Sequence, residues 1–147
     1  MSLYQTVTTS FKVELLQAQH NFGPISADTF KLALYTAAAS LSDATTAYTT
    51  SGEVSGTGYD PGGVELDITV SPTYGTVSGI TVAYIGFSNA VWSGASFTAR
   101  GALIYNSSNG NKSVAVLDFG ADKTVVNQTF TVVMPTATAN SAIIRIS

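Results

Sequence analysis

The sequence predicts an all-β protein, an antiparallel β-sandwich of jelly-roll or immunoglobulin-like type with one short N-terminal α-helix. Three observations carry that expectation. After Pro24, short runs that alternate apolar and polar residues recur at intervals of roughly ten residues, separated by Gly, Asn and Pro, as in a sandwich of short strands. Before Pro24 a single segment repeats its apolar residues at helical spacing. No internal repeat is present, which removes solenoids and propellers. The 147 residues suit one domain, 1–147, burying about 70% of the surface its unfolded chain exposes. It divides into an N-terminal arm and helix, 1–24, and the sandwich proper, 25–147.

The helix is expected over Ser10 to His20. Phe11, Leu15, Ala18 and then Phe22 form its apolar stripe, with Lys12 and Glu14 on the other side. Thr9 or Ser10 can cap its start, and Asn21-Phe22-Gly23-Pro24 supplies the stop. So short a helix needs a body to lie on.

The strands follow. Thr29 to Thr36 alternates Phe30, Leu32 and Leu34 with Lys31, Ala33 and Tyr35, which reads as a half-buried strand. Ala37 to Ala47 is alanine-rich, but its Ser, Thr and Asp favour a loop with at most one turn of helix. Gly52 to Gly63 is a wide turn that uses glycine for positive φ. Val64 to Val70 alternates apolar residues with Glu65, Asp67 and Thr69, giving one wet, acidic face. Further strands are expected at Gly79 to Ser88, Val91 to Trp92, Thr98 to Asn106, Lys112 to Gly120, Thr129 to Met134 and Ala142 to Ser147. Asn109-Gly110 lies between two of these and signals a hairpin.

Composition excludes several functions. Six Lys or Arg against nine Asp or Glu leave a net charge of −3, and the cations are scattered from Lys12 to Arg145. Nucleic acid, which demands clustered positive charge, is not expected as a partner on that count. Polar duty falls instead to 17 Ser and 20 Thr. There is no cysteine, so neither disulfides nor thiolate metal sites are available. No apolar run approaches a membrane span, and Met1 to Ser10 lacks the pattern of a secretory signal. Synthesis and folding in a cytosol are expected.

Chemistry-bearing residues are sparse. His20 is the only histidine; without partners in the sequence it reads as a surface or helix-terminal residue near the helix dipole, not a base or ligand. Asp60, Glu65 and Asp67 can supply oxygen ligands to a cation or a pair of hydrolytic acids, but they match no calcium loop. Asp118-Phe119-Gly120 lacks the companions of a kinase site and reads as a strand end. Gly56 to Gly63 lacks the Gly-Lys-Ser/Thr ending of a phosphate loop. The sequons at Asn106, Asn111 and Asn127 carry no meaning without secretion. Serine has no activating base and no nucleophile elbow. Trp92 reads as core, with a carbohydrate-stacking platform as the alternative. No residue is assigned to catalysis, a cofactor or a metal, and no enzyme activity is expected.

Four segments resemble small structural proteins of tailed bacteriophages and prophages: Phe30-Lys-Leu-Ala-Leu-Tyr-Thr36, Ala47 to Tyr59 with Pro61-Gly-Gly-Val64, Phe97 to Tyr105, and Val114-Ala-Val-Leu-Asp-Phe119. The resemblance implies a virion component and carries no catalytic residues. No motif separates capsid decoration from tail or fibre attachment; the expectation taken is a capsid decoration or cement protein on the outer shell, made in the host cytoplasm. Its expected partners are the major capsid protein or other virion proteins and further copies of itself, a trimer by analogy. Weak charge and a β-rich body suit such extended, multivalent contact. A second class stays open: a tail- or fibre-associated module binding a receptor or glycan. Met1 to Ser10 with the helix either docks to the shell or a neighbour, or packs across its own sandwich.

Overall fold

A computed structural model describes Leu3 and residues 5–147; Met1, Ser2 and Tyr4 of the expected arm lie outside the described residues. The elements in order are β1 (Thr6–Val7), α1 (Thr9–Leu16), β2 (Phe30–Tyr35), β3 (Val64–Leu66), β4 (Ile68–Val77), β5 (Ile80–Phe87), β6 (Ala90–Asn106), β7 (Lys112–Val132) and β8 (Ile144–Ile146). They form a five-stranded sheet, ordered β1-β7-β6-β2-β3, and a three-stranded sheet, ordered β4-β5-β8. All named strand pairs are antiparallel. The protein is mostly antiparallel β-structure with one short helix.

The helix starts earlier and ends sooner than its apolar spacing implies. Thr8 caps it, its side chain accepting the Phe11 amide. The same buried threonine sits against β7, where its amide donates to the Val114 carbonyl. Ala18 takes a left-handed φ of 57° and turns the chain out of the helix. Of the expected stripe, Phe11 is buried while Ala18 is exposed, and Phe22 reaches the core from the following loop.

β6 and β7 are long partners, each longer than the two pieces expected from sequence. Their pairing steps from Ala99 opposite Lys123 to Gly101 opposite Asp118. Two steps along β6 thus face five along β7, so Asp118-Phe119-Gly120 marks a bulge inside β7 and not a strand end. Arg100 faces this bulge, within 3.8 Å of Asp118 and 3.6 Å of Asp122. The hairpin that joins the two strands closes as expected, with Asn106 opposite Lys112 and positive φ at Gly110 and Asn111.

The segment Val64 to Val70 belongs to two sheets. β3 pairs with β2, the chain crosses over at Asp67, and β4 begins the other sheet. Ser88 grips the crossing: its hydroxyl accepts the Asp67 amide and its amide donates to the Asp67 carbonyl.

The larger core takes side chains from both sheets, among them Leu32, Ile104 and Val114 from one and Ile85, Phe87 and Ile144 from the other. A smaller core lies on the opposite face of the five-stranded sheet, built from Ala33, Tyr35, Leu103, Tyr105 and Val116 under Ala39 and Leu41. β2 is therefore buried on both faces, which corrects the half-buried expectation. The loop 37–59 supplies the cover, pinned by isolated bridges from Tyr35 to Glu53 and from Ala47 to Lys112. Among the described residues no helix is long and apolar enough to cross a membrane.

Candidate functional site

His20 is buried, at 7% exposure, and not a surface residue. The turn at Ala18 carries it back beneath α1, where its ring lies 4.8 Å from that of Phe11. Its Nδ1 lies 3.1 Å from the amide nitrogen of Asn106, which only donates, so Nδ1 accepts and the proton rests on Nε2. Nε2 in turn faces Glu14 Oε1 at 3.2 Å. Asn106 Nδ2 also donates to Asp28 Oδ2 at 2.7 Å, and Lys112 Nζ stands 3.6 Å from Glu14 Oε2. Both ring nitrogens are thus committed inside the protein. The network ties the end of α1 to the β6–β7 hairpin.

A second polar network escaped the sequence reading. Glu53, in the glycine-rich turn, accepts the Tyr59 hydroxyl at 2.6 Å and the Gly62 amide at 2.7 Å on Oε1, and the Tyr48 hydroxyl at 2.7 Å on Oε2. Tyr105 donates to the Gly62 carbonyl and Tyr35 to the Thr49 carbonyl. Burial, with the Glu53 charge adding to it, pushes the phenols of Tyr48, Tyr59 and Tyr35 well above the ordinary tyrosine range and that of Tyr105 up to about 12. The signal was present: an acid flanked by tyrosines five residues before and six after it. Its effect is to fasten the turn 47–63 to the sheet.

Among the described residues no group of three or more His, Asp or Glu side chains comes together as a metal site; Asp60, Glu65 and Asp67 are exposed and dispersed along the crossing from turn to sheet. Trp92 is 4% exposed and packs on Tyr59, Phe97 and Phe130, so it offers no stacking platform. Asn106 of the first sequon is fully buried.

What the fold leaves open lies at its margins. Between Asp67 and Arg100 the 32 residues 68–99 contain no charged side chain. They form the β4–β5 hairpin and the first half of β6. The far part of that hairpin is solvent-facing, with Tyr74 73% and Ile80 59% exposed. β4 is also an edge strand, protected by Pro72 and a break in register rather than by the charges that usually guard such edges.

A second opening lies beside β8. Between it and α1 runs an apolar groove of about 600 Å³, lined by Phe11, Leu15, Leu16, Ile144 and Ile146, with Lys12 and Arg145 at its rim. It continues past Phe22 and Pro72 toward Tyr84 in an adjoining cavity of about 370 Å³. Leu16, at its margin, is 91% exposed. No family model, curated protein or solved structure matches this chain.

Proposed function

We propose that the chain is a non-enzymatic structural protein of a bacteriophage virion, a capsid decoration or cement protein that binds the outer shell and stabilises the head. The observation that carries this reading is the exposed, charge-free β4–β5 hairpin, with Tyr74 and Ile80 on its surface. Pro72 and the register shifts guard only the first part of β4, and its regular, uncharged stretch from Thr73 to Val77 is the kind of edge that recruits other chains. In an assembly the edge is covered.

The body supports the same reading. Two sheets that share one core are compatible with a β-sandwich, which we read as of jelly-roll or immunoglobulin-like type. Two hydrogen-bonded networks hold its loops without disulfides. The expected partners are the major capsid protein and further copies of this chain, placed on the capsid surface. Multivalent attachment lets modest contacts add up.

The test is thermal and mechanical measurement on capsids stripped of the protein, then with purified protein added back. Stripped heads should weaken and regain stability on addition, and the replacement Tyr74→Ser with Ile80→Ser should abolish recovery while the variant stays folded. Stripped heads as robust as complete ones overturn the cement role. The other reading, a receptor- or glycan-binding module of a tail or fibre, draws on exposed Tyr74; saturable glycan binding lost on Tyr74→Ser would establish it.

A further inference from the structure

The two sheets each end in a short open strand, and the two ends are complementary. β3 is the outermost strand of the five-stranded sheet and β8 of the three-stranded one. β3 reads Val64-Glu65-Leu66 and β8 reads Ile144-Arg145-Ile146: apolar, charged, apolar, with opposite charge at the centre. Leu66 and Ile144 are both turned into the larger core. Strand alternation turns Glu65 and Arg145 the other way, and both are exposed. Lys31 stands opposite Glu65 in the β2–β3 register, yet among the described residues neither Glu65 nor Arg145 makes an ion pair.

Beyond β8 lies an open groove. The apolar groove separates β8 from α1, and its rim is cationic through Lys12 and Arg145 in a chain whose net charge is negative. An incoming strand suited to it carries apolar residues toward the core and one acid outward. β3 has that pattern.

We propose that β3 of one copy adds to the β8 edge of a second copy, seated beside α1, with Glu65 of the first facing Arg145 of the second. Main-chain pairing supplies the attachment, and with Leu66 and Ile144 each kept in its own core the two sheets run on edge to edge. The charges select the pairing: β3 against β3 sets Glu65 on Glu65, and β8 against β8 sets Arg145 on Arg145, so each like pairing is repelled. Because the two surfaces differ, the contact is head-to-tail and repeats, closing into a ring or continuing as a lattice according to its rotation. This inference rests on the assembly reading and names its self-contact.

Sedimentation velocity on the full chain over a range of concentrations tests it. The wild type should associate, Glu65→Arg and Arg145→Glu should each weaken association about tenfold or more, and the doubly reversed chain should recover it. Mixing the two single variants should also restore association, since both head-to-tail contacts between unlike variants then set opposite charges together. Thermal melting of each variant confirms that the fold is kept. A wild type that remains monomeric, single variants that associate like wild type, or reversal without recovery each overturn the interface. A chain that passes the reversal cycle but fails to bind capsids keeps this interface and overturns the decoration role alone.

Discussion

The Tyr59 hydroxyl donates to Glu53 Oε1 across 2.6 Å and accepts the Leu34 amide on the same oxygen at 2.9 Å. A backbone group of β2 is thereby linked, through one phenol, to a carboxylate in the turn 47–63. The carboxylate also holds Tyr48 and the Gly62 amide. Glu53→Ala strands these donors together; a hydrogen bond to a charged acceptor is worth about 1.5–3 kcal/mol net, and water reaching the half-buried Tyr48 and Glu53 positions offsets part of the sum. A loss of about 2–3 kcal/mol is expected. Tyr48→Phe, which removes one donor and leaves the others paired, should cost about 1 kcal/mol. Denaturant midpoints at unchanged slope measure both. Equal, negligible losses would show that the turn is held by packing alone.

The same cluster sets an alkaline limit. The phenols of Tyr35, Tyr48, Tyr59 and Tyr105 are raised by burial above their ordinary value of 10, Tyr105 to about 12. Between those values the unfolded chain has released protons that the native chain still holds. Stability is therefore complete below pH 10 and falls as pH rises from 10 through about 12 and beyond. Tyrosinate absorbance should rise in step with loss of near-ultraviolet dichroism, because these phenols ionise on unfolding. Four phenols titrating near their ordinary value in a folded protein would contradict the network.

Which of these features were legible depended on how local their cause is. The Asn106–Lys112 turn is specified by its own residues and was read correctly. β6 and β7 were read in fragments because Gly94, Gly120 and the residues of the bulge interrupt alternation, while their partner strand keeps them extended. The two-sided burial of β2 was illegible: Ala33 and Tyr35 are covered by Ala39, Leu41 and Tyr48, and nothing in an alternating strand announces which loop will fold over it. The partners of His20 were hidden because Asn106 lies far along the chain and the turn at Ala18, which brings the ring back to Glu14, breaks the helical spacing. The charge-free run 68–99 was visible in the sequence, but its meaning required knowing that half of it would stand in solvent. The groove beside β8 is a product of tertiary packing.

Asn106 should be the most sensitive polar position of the His20 network. Its amide is fully buried and serves both Asp28 and the ring. Asn106→Ala leaves Nδ1 without its donor and removes one of the Asp28 contacts, at an expected cost of about 1–3 kcal/mol. Nitrogen magnetic resonance of the imidazole gives a sharper readout. The wild type should show a single tautomer protonated at Nε2, and the variant a mixture. A mixed ring in the wild type would refute the assignment.

Two glycines separate backbone strain from steric exclusion. Gly79 closes the β4–β5 turn at φ 78°, with no atom within 4 Å of the place where a Cβ would stand. Gly63, at φ 76°, would set its Cβ 1.8 Å from the Leu32 carbonyl oxygen. Both pay for a left-handed residue on replacement by alanine, about 1–2 kcal/mol. Only Gly63→Ala must also move backbone, so its loss should exceed that of Gly79→Ala by about 2 kcal/mol or more. The movement has a direction. Gly62, the preceding residue, binds Glu53 and Tyr105, and the following residue, Val64, opens β3. Gly63→Ala should therefore weaken self-association through the β3 edge under conditions where the chain remains folded, while Gly79→Ala leaves it unchanged. Sedimentation velocity beside thermal melting of the two variants checks this, and equal association in both would separate the placement of β3 from the contact it makes.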